Sequence, residues 1–186
     1  MVQETKAVIR KKILNLLKSQ EEEDKRKNSL IILERLCKLP EFATAHRILF
    51  YASFDGEVET FEMMKQAQKL GKKVALPIIL WENKTIVPAL VNDLQEDLEP
   101  GKYGIKQPKE TMKRISDYNE IDMIVVPGVA FDTNRNRLGR GAGYYDRFLE
   151  TVPSSVFRVG LAFDFQIIDT FPKEQNDIPV DCVITN

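Results

Sequence analysis

A single histidine, His46, and two cysteines, Cys37 and Cys182, are all that this 186-residue chain offers of the side chains that most often bind transition metals or act as nucleophiles. A serine–histidine triad or a multi-histidine zinc site would have to be built around His46, which precedes an expected strand and reads as a structural or surface residue. The cysteines lack metal-ligand spacing and read as reduced, buried thiols rather than a disulfide. No apolar run approaches the roughly 18 residues of a membrane span, and the N-terminus has no signal-peptide core. Neither sign of charge is in surplus. The 27 Lys and Arg against 28 Asp and Glu leave a formal net charge of −1 and exclude a generally basic nucleic-acid binder. The expectation is a cytoplasmic monomer with no nucleic-acid or membrane partner, in which any anion site is local.

A hydrophobic share of 43% beside 30% charged residues suits one globular domain, here residues 1–186. A chain of this length can bury about 70% of its unfolded surface. From Gln3 to Ser19, Val8, Ile9, Ile13, Leu16 and Leu17 recur at helical spacing. The acidic run Glu21 to Asp24 opens a second helix, with Leu30, Leu33, Leu36 and Cys37 as its apolar side and Pro40 just beyond its end. Ile48 to Ala52 reads as a strand closed by the Asp55-Gly56 turn. Thr60 caps a helix running to Leu70, Gly71 stops it, and Lys73 to Pro77 is the next strand. That is one βαβ unit, the mark of a parallel sheet covered by helices. Thr85 to Val91 is an edge strand, because Pro88 cannot donate to a ladder. Asn92 to Asp117 is loop-rich, and Ile121 to Val126, Val156 to Ala162 and Cys182 to Thr185 are further strands. The predicted fold is α/β: a mostly parallel sheet flanked by helices in a three-layer, Rossmann-like arrangement, preceded by a helical pair.

The most informative segment follows the strand Ile121 to Val126, where ligands of open α/β sheets gather. It reads PGVAFDTNRNRLGRGAGYYDRFL, from Pro127 to Leu149. Gly139, Gly141 and Gly143 alternate between Arg137, Arg140 and Asp146. Glycines let backbone N–H groups approach a ligand, arginines match phosphate geometry, and an aspartate can hold magnesium. A tight surface turn would explain the glycines, but not those three charges. The spacing is neither a P-loop, which needs a lysine absent here, nor a Gly-x-Gly-x-x-Gly dinucleotide motif. A helix starting at Tyr144 would add free N–H groups to an anion site. Asp181, before the last strand, can join Asp146 on magnesium, and Glu57 can accept hydrogen bonds from an amine-rich heterocycle. Two other readings stay open at this level. One is a phosphate-binding module without turnover, the other an α/β enzyme of sugar phosphates or coenzyme A esters with Glu57 as base or nucleophile.

Pro127 to Asp132 with Arg137 to Leu149 resembles the signature of the 5-formyltetrahydrofolate cyclo-ligases, or methenyltetrahydrofolate synthetases. Lys6 and Arg10, Glu57-Val-Glu-Thr60, Gly71 to Pro77, Tyr103 to Pro108, Gln166, Asp177 and Val180-Asp181 are similar to further family features, in the same order along the chain. The resemblance implies that ATP and 5-formyltetrahydrofolate become 5,10-methenyltetrahydrofolate, ADP and phosphate. The γ-phosphoryl group activates the formyl oxygen and N10 closes the ring, so no protein nucleophile is required. It also implies residue roles. ATP is held by Lys6, Ala7, Val8, Ile9, Arg10 and the loop Arg137, Leu138, Gly139, Arg140, Gly141, Ala142, Gly143, Tyr144 and Tyr145. Arg137 neutralises charge and Arg140 stabilises the phosphoryl group in transit. Magnesium sits on Asp146 and Asp181. Glu57 orients the pterin, while Ala52, Tyr103 and the loop from Arg140 to Tyr144 line the folate pocket. Three positions depart from the usual pattern. Arg135 stands where glycine is common, leaving Asn134 or Asn136 to take a positive φ. Ala142 replaces a frequent glycine or lysine, and Gln107 a frequent glutamate.

Overall fold

The computed structural model describes residues 4–174 and 177–186. Three helices come first: α1 (Lys6–Lys18), α2 (Glu22–Cys37) and the short α3 (Pro40–Thr44). Then follow β1 (Arg47–Leu49), α4 (Phe61–Lys69), β2 (Lys73–Leu80), β3 (Thr85–Val91), β4 (Leu98–Pro100) and β5 (Lys106–Pro108). The second half holds β6 (Met123–Val126), β7 (Ala130–Asp132), β8 (Arg137–Leu138), α5 (Tyr144–Thr151), β9 (Phe157–Leu161), β10 (Ile167–Ile168) and β11 (Cys182–Ile184).

The main sheet has the order β11-β9-β6-β1-β2-β3. Its first five strands are mutually parallel, and β3 returns antiparallel on β2 through seven residue pairs from Val74↔Val91 to Leu80↔Thr85. β1, α4 and β2 form the expected βαβ unit, and β3 is the expected edge, with Pro88 opposite Pro77. That long hairpin carries β2 to Leu80, beyond the expected end at Pro77.

Successive residues of the parallel strands point to opposite faces, and this alternation builds two cores. Ile48, Met123, Val125 and Val159 face a layer that includes Ile9, Ile13 and Leu17 of α1 and Met63, Met64 and Ala67 of α4. Leu49, Ile124 and Val126 face Phe148 and Leu149 of α5. The result is helices on both sides of a mostly parallel sheet. α1 begins at Thr5, whose Oγ1 accepts from the Val8 N–H at 3.4 Å. Ile9, Ile13 and Leu17 fall every fourth residue and form one buried stripe, each stabilising by roughly 2 kcal/mol. In α2 the buried stripe is Ser29, Ile32 and Leu36, while Leu30, expected inside, is half exposed. The Ser29 hydroxyl accepts from the Glu59 N–H at 3.0 Å, so a polar contact sets which side of α2 faces inward.

Two local expectations were overruled by tertiary bonds. β1 ends at Leu49 rather than Ala52, because the chain turns away to place Tyr51 and Ala52 in a cleft wall. Thr60 precedes α4 but does not cap it. Its buried hydroxyl donates to the Tyr51 carbonyl at 2.6 Å and accepts from the Ser53 N–H at 3.2 Å, bracing that turn. A small sheet, β10-β7-β8, and a β4–β5 hairpin went unanticipated, since strands of two and three residues carry no periodic pattern. Phe131 of β7 is fully buried, and a Cβ on Gly128 or Gly160 would come within 2.5 or 2.6 Å of its ring. Those glycines make the space in which the small sheet folds back onto the large one.

Candidate active site

From β1 the chain continues to β2 on one side, whereas β6 lies on the other side of β1. The loops leaving β1 and β6 therefore diverge at a topological switch point. Between them lies a cleft of about 180 Å³. The β1 loop contributes Tyr51, Ala52, Phe54 and Glu57, and the β6 loop contributes Pro127, Gly128 and Val129. Pro77, Ile79, Trp81 and Ile105 add an apolar wall, and Lys102, Lys106 and Gln107 also line it. The glycine loop supplies the remaining side with Arg137, Gly139, Arg140, Ala142, Gly143, Tyr144, Tyr145 and Asp146.

Gly141 and Gly143 have φ of 100° and 70°, left-handed conformations that other residues adopt at a cost of about 1–2 kcal/mol. Gly143 precedes α5 with no side chain capping the helix, so the N–H groups of the first turn are free for an anion. Beneath the loop, buried Arg137 donates through Nη2 to Asp146 and through Nη1 to the Pro127 carbonyl at 3.3 Å, while its Nε has no partner among the described residues. Arg10, one turn along α1 from Lys6, donates from Nε to the Gly139 carbonyl at 2.8 Å. Lys6 Nζ donates to Asp177 at 2.6 Å and to Glu174 at 3.0 Å. Three cations, Lys6, Arg10 and Arg137, thus surround a backbone cradle, a donor set suited to a polyphosphate.

Across the cleft, Arg140 donates from Nε and Nη2 to Glu57 Oε1 at 3.2 and 3.1 Å and from Nη1 to Asp55 at 3.2 Å. Its guanidinium lies 4.4 Å over the Phe54 ring. Burial pushes the Glu57 carboxyl above its ordinary value, although the Arg140 charge and the Phe54 N–H work against that shift. A profile of the 5-formyltetrahydrofolate cyclo-ligase family matches residues 2–186.

The chain belongs to that family. It is 32% identical over 152 residues to the 5-formyltetrahydrofolate cyclo-ligase of Escherichia coli K12, covering 81% of this chain and 84% of that one. It is 31% identical over 193 residues to a probable 5-formyltetrahydrofolate cyclo-ligase of Caenorhabditis elegans, covering 98% and 93%. The solved 5,10-methenyltetrahydrofolate synthetase of Aquifex aeolicus superposes with a TM-score of 0.85 at 35% identity, covering 97% and 89%. The named relatives are ligases, and the protein is one of that class.

Within the cyclo-ligase fold, the expected loop residues, Ala52 and Glu57 share the one cleft. Leu138 is buried behind it, and Gly141 sits on the outer side of the loop, its Cβ position 3.5 Å from the Arg10 guanidinium. Of the run from Lys6 to Arg10, only its two cations bond to the loop or to the Asp177 segment. Ile9 is core, and Ala7 and Val8 are exposed. Tyr103 stands on the rim, 72% exposed, edge-on to Trp81 with ring centroids 5.8 Å apart. Trp81, given no role from sequence, is also edge-on to Tyr144 at 5.6 Å. Its long-range position in the β2–β3 turn left no local signal.

Asp181 is not brought to Asp146. Its carboxylate accepts from the Arg158 N–H at 2.7 Å, and it lines a different groove beside Asp132, Thr133 and Arg135. As a residue preceding β11, it sits at the amino end of a parallel strand, whereas the cleft opens at carboxyl ends. Asp177, four residues earlier, is the carboxylate that reaches the cations. Burial raises its pKa, but the Glu174 N–H, the Lys6 bond and the charges of Lys6 and Arg137 lower it further, leaving it depressed. Arg135 itself takes the positive φ, 64°, instead of Asn134 or Asn136. Its guanidinium donates to the Asp181 carbonyl at 2.7 Å, and the Asp132 carboxylate occupies the N–H groups of both asparagines. Among the described residues no three His, Cys, Asp or Glu side chains converge into a metal cage.

Proposed function

We propose that the protein converts 5-formyltetrahydrofolate and ATP to 5,10-methenyltetrahydrofolate, ADP and phosphate in a magnesium-dependent reaction. The observation that carries this reading is the division of one cleft. The Arg10-braced glycine loop with buried Arg137 forms its cationic half, and Glu57 with the aromatic wall around Trp81 forms the other. Family membership supplies the substrate class, since the relatives are named for that reaction.

In this reading the loop from Gly139 to Tyr145 and the first turn of α5 hold the ATP phosphates, and Lys6, Arg10 and Arg137 neutralise them. Glu57 accepts N–H donors of the pterin, while Ala52, Trp81, Tyr103 and Tyr144 surround the folate. The formyl oxygen attacks the γ-phosphorus, and the electron pair of the broken bond leaves on ADP. N10 then attacks the activated formyl carbon and loses its proton, and the C–O pair departs on phosphate. Arg140, placed between the two halves, stabilises the charge of the group in transit. Magnesium, when bound, neutralises phosphate charge. One or two carboxylates suffice for it beside phosphate oxygens, and Asp146 and Asp177, both near Arg137, fit that need better than Asp181.

The test is direct. Protein, ATP, magnesium and 5-formyltetrahydrofolate are mixed, and methenyl-folate absorbance is followed together with ADP. Stoichiometric appearance of both products is expected. A folded protein giving no methenyl product above the enzyme-free rate would sink the proposal.

A further inference from the structure

Among the described residues, Tyr145 Oη is closed off from solvent and has no hydrogen-bond partner. A buried hydroxyl left unpaired costs about 1–3 kcal/mol, so it calls for a reason, and an acceptor brought by a ligand is one. Its surroundings say which ligand. The Tyr145 ring lies 5.9 Å from the Arg137 guanidinium carbon, and Arg137 Nε is a second buried donor without a partner. Two unpaired donors on one wall of one cleft suit an acceptor-rich group rather than an apolar ring. The nearby hydroxyl of Tyr51 is already committed, donating to the Val58 carbonyl at 3.2 Å.

The position along the cleft is as informative. Burial above all raises the Tyr145 phenol, the negative charge of Glu57 adds to that, and the positive charge of Arg137 opposes it. The hydroxyl is therefore within electrostatic reach of both. Glu57 belongs to the half assigned above to the heterocycle, and Arg137 to the half assigned to phosphate. A group lying between them is where a phosphoryl group crosses from nucleotide to formyl oxygen. A phenol held so firmly neutral acts as a donor and not as a base.

We infer that the Tyr145 hydroxyl donates a hydrogen bond to the former formyl oxygen once that oxygen carries the phosphoryl group. The inference rests on the proposed ring closure. When N10 attacks, the C–O bond breaks and its electron pair stays on this oxygen, which leaves within phosphate. Tyr145 keeps its own proton throughout. Its O–H dipole meets the charge growing on the departing oxygen, an interaction stronger in the transition state than in the ground state. Substrate approaches the hydroxyl through the cleft that Tyr145 and the one-third exposed Arg140 both line.

Tyr145→Phe removes the hydroxyl and nothing else, and two readouts are required. The first is thermal unfolding of the ligand-free protein, where the variant should melt at the same temperature as the parent or higher, because an unpaired buried oxygen has been deleted. The second is steady-state turnover, where kcat should fall about ten- to a hundred-fold, the worth of a hydrogen bond to a charged group, with KM for both substrates little changed. A lowered melting temperature would show that the hydroxyl has a structural partner and would overturn the inference. So would near-parental kcat in the variant. A parent protein giving no methenyl product would instead remove the reaction on which the inference depends, taking both down together.

Discussion

Arg140 and Glu57 hold one another across the mouth of the cleft, with Nη2 and Oε1 3.1 Å apart and Asp55 as a second acceptor for the same guanidinium. One residue belongs to the glycine loop and the other to the turn after β1, 83 positions away. The contact joins the half of the cleft suited to phosphate to the half suited to a heterocycle. An anionic group arriving at Arg140 competes with Glu57, and a donor-rich ring arriving at Glu57 releases Arg140.

Arg140→Ala should lower kcat about 100- to 1,000-fold, by analogy with losing one preorganised donor worth ~3–4 kcal/mol. The melting temperature should fall modestly, since Arg140 is one-third exposed but its partner Glu57 is largely buried. Arg140→Lys should recover only part of the rate, because an ammonium lacks the planar fork. Turnover and thermal melts on both variants check this, and near-full activity of the alanine variant would remove Arg140 from its assigned role.

Glu57 gives a pH dependence with a defined sign. Its folded pKa lies above the ordinary 4.5, so its ionised, acceptor form appears only as pH rises through that higher value. The kcat/KM for the folate should climb along an acid limb centred above 4.5, and Glu57→Gln should abolish the limb. In stability the same shift favours the protonated, folded state, so Glu57's contribution is lost as pH rises through that window. A pH profile superimposable on that of the glutamine variant would contradict this.

Removing Arg137 leaves Asp146 without its buried partner. Arg137→Ala should destabilise by about 3 kcal/mol, the lower end of the range for a broken buried pair, since the Asp146 side chain is 25% exposed. Asp146→Asn, which keeps an acceptor, should cost less. Urea unfolding of both variants provides the comparison.

Asp177 and Asp181 make an internal control. Asp177→Asn should raise the magnesium concentration for half-maximal rate about tenfold or more. Asp181→Asn should leave it unchanged and cost about 1 kcal/mol through the weakened bond from the Arg158 N–H. The opposite ranking would restore Asp181 to the metal.

The Lys6–Asp177 pair should also leave its mark on stability at both pH extremes. Asp177's folded pKa lies below 3.8, so its stabilising contribution is present above that value and fades as pH falls through the depressed one. For Lys6, burial lowers the pKa but the bonds to Asp177 and Glu174 outweigh it, giving a net rise above 10.5. Its contribution is present below 10.5 and lost as pH climbs through the raised value. Asp177→Asn should flatten both limbs in chemical denaturation.

Much of this was legible in the sequence where the signal is local. The βαβ unit from Arg47 to Pro77 announces itself by periodicity and by Gly71, and the loop from Arg137 to Asp146 by glycines beside charge. What escaped depends on partners distant in the chain. Nothing near Asp177 or Asp181 says which meets Lys6, because a deviation of four residues before β11 decides it. Thr60 looks like a cap until Tyr51 claims its hydroxyl. Ser29 faces inward only because Glu59 lies opposite. Arg135 keeps a left-handed backbone with a long side chain because the Asp181 carbonyl receives it.

The bonds from Arg10 to Gly139 and from Lys6 to Asp177 span 129 and 171 positions. During synthesis α1 emerges long before either acceptor, and its two cations must wait for 129 and 171 further positions before they find them. The cationic side of the cleft therefore cannot be completed on a nascent chain that stops short of Asp177. The cleft is thus completed by contacts that close over long separations, so its assembly depends on the fold as a whole rather than on any local segment.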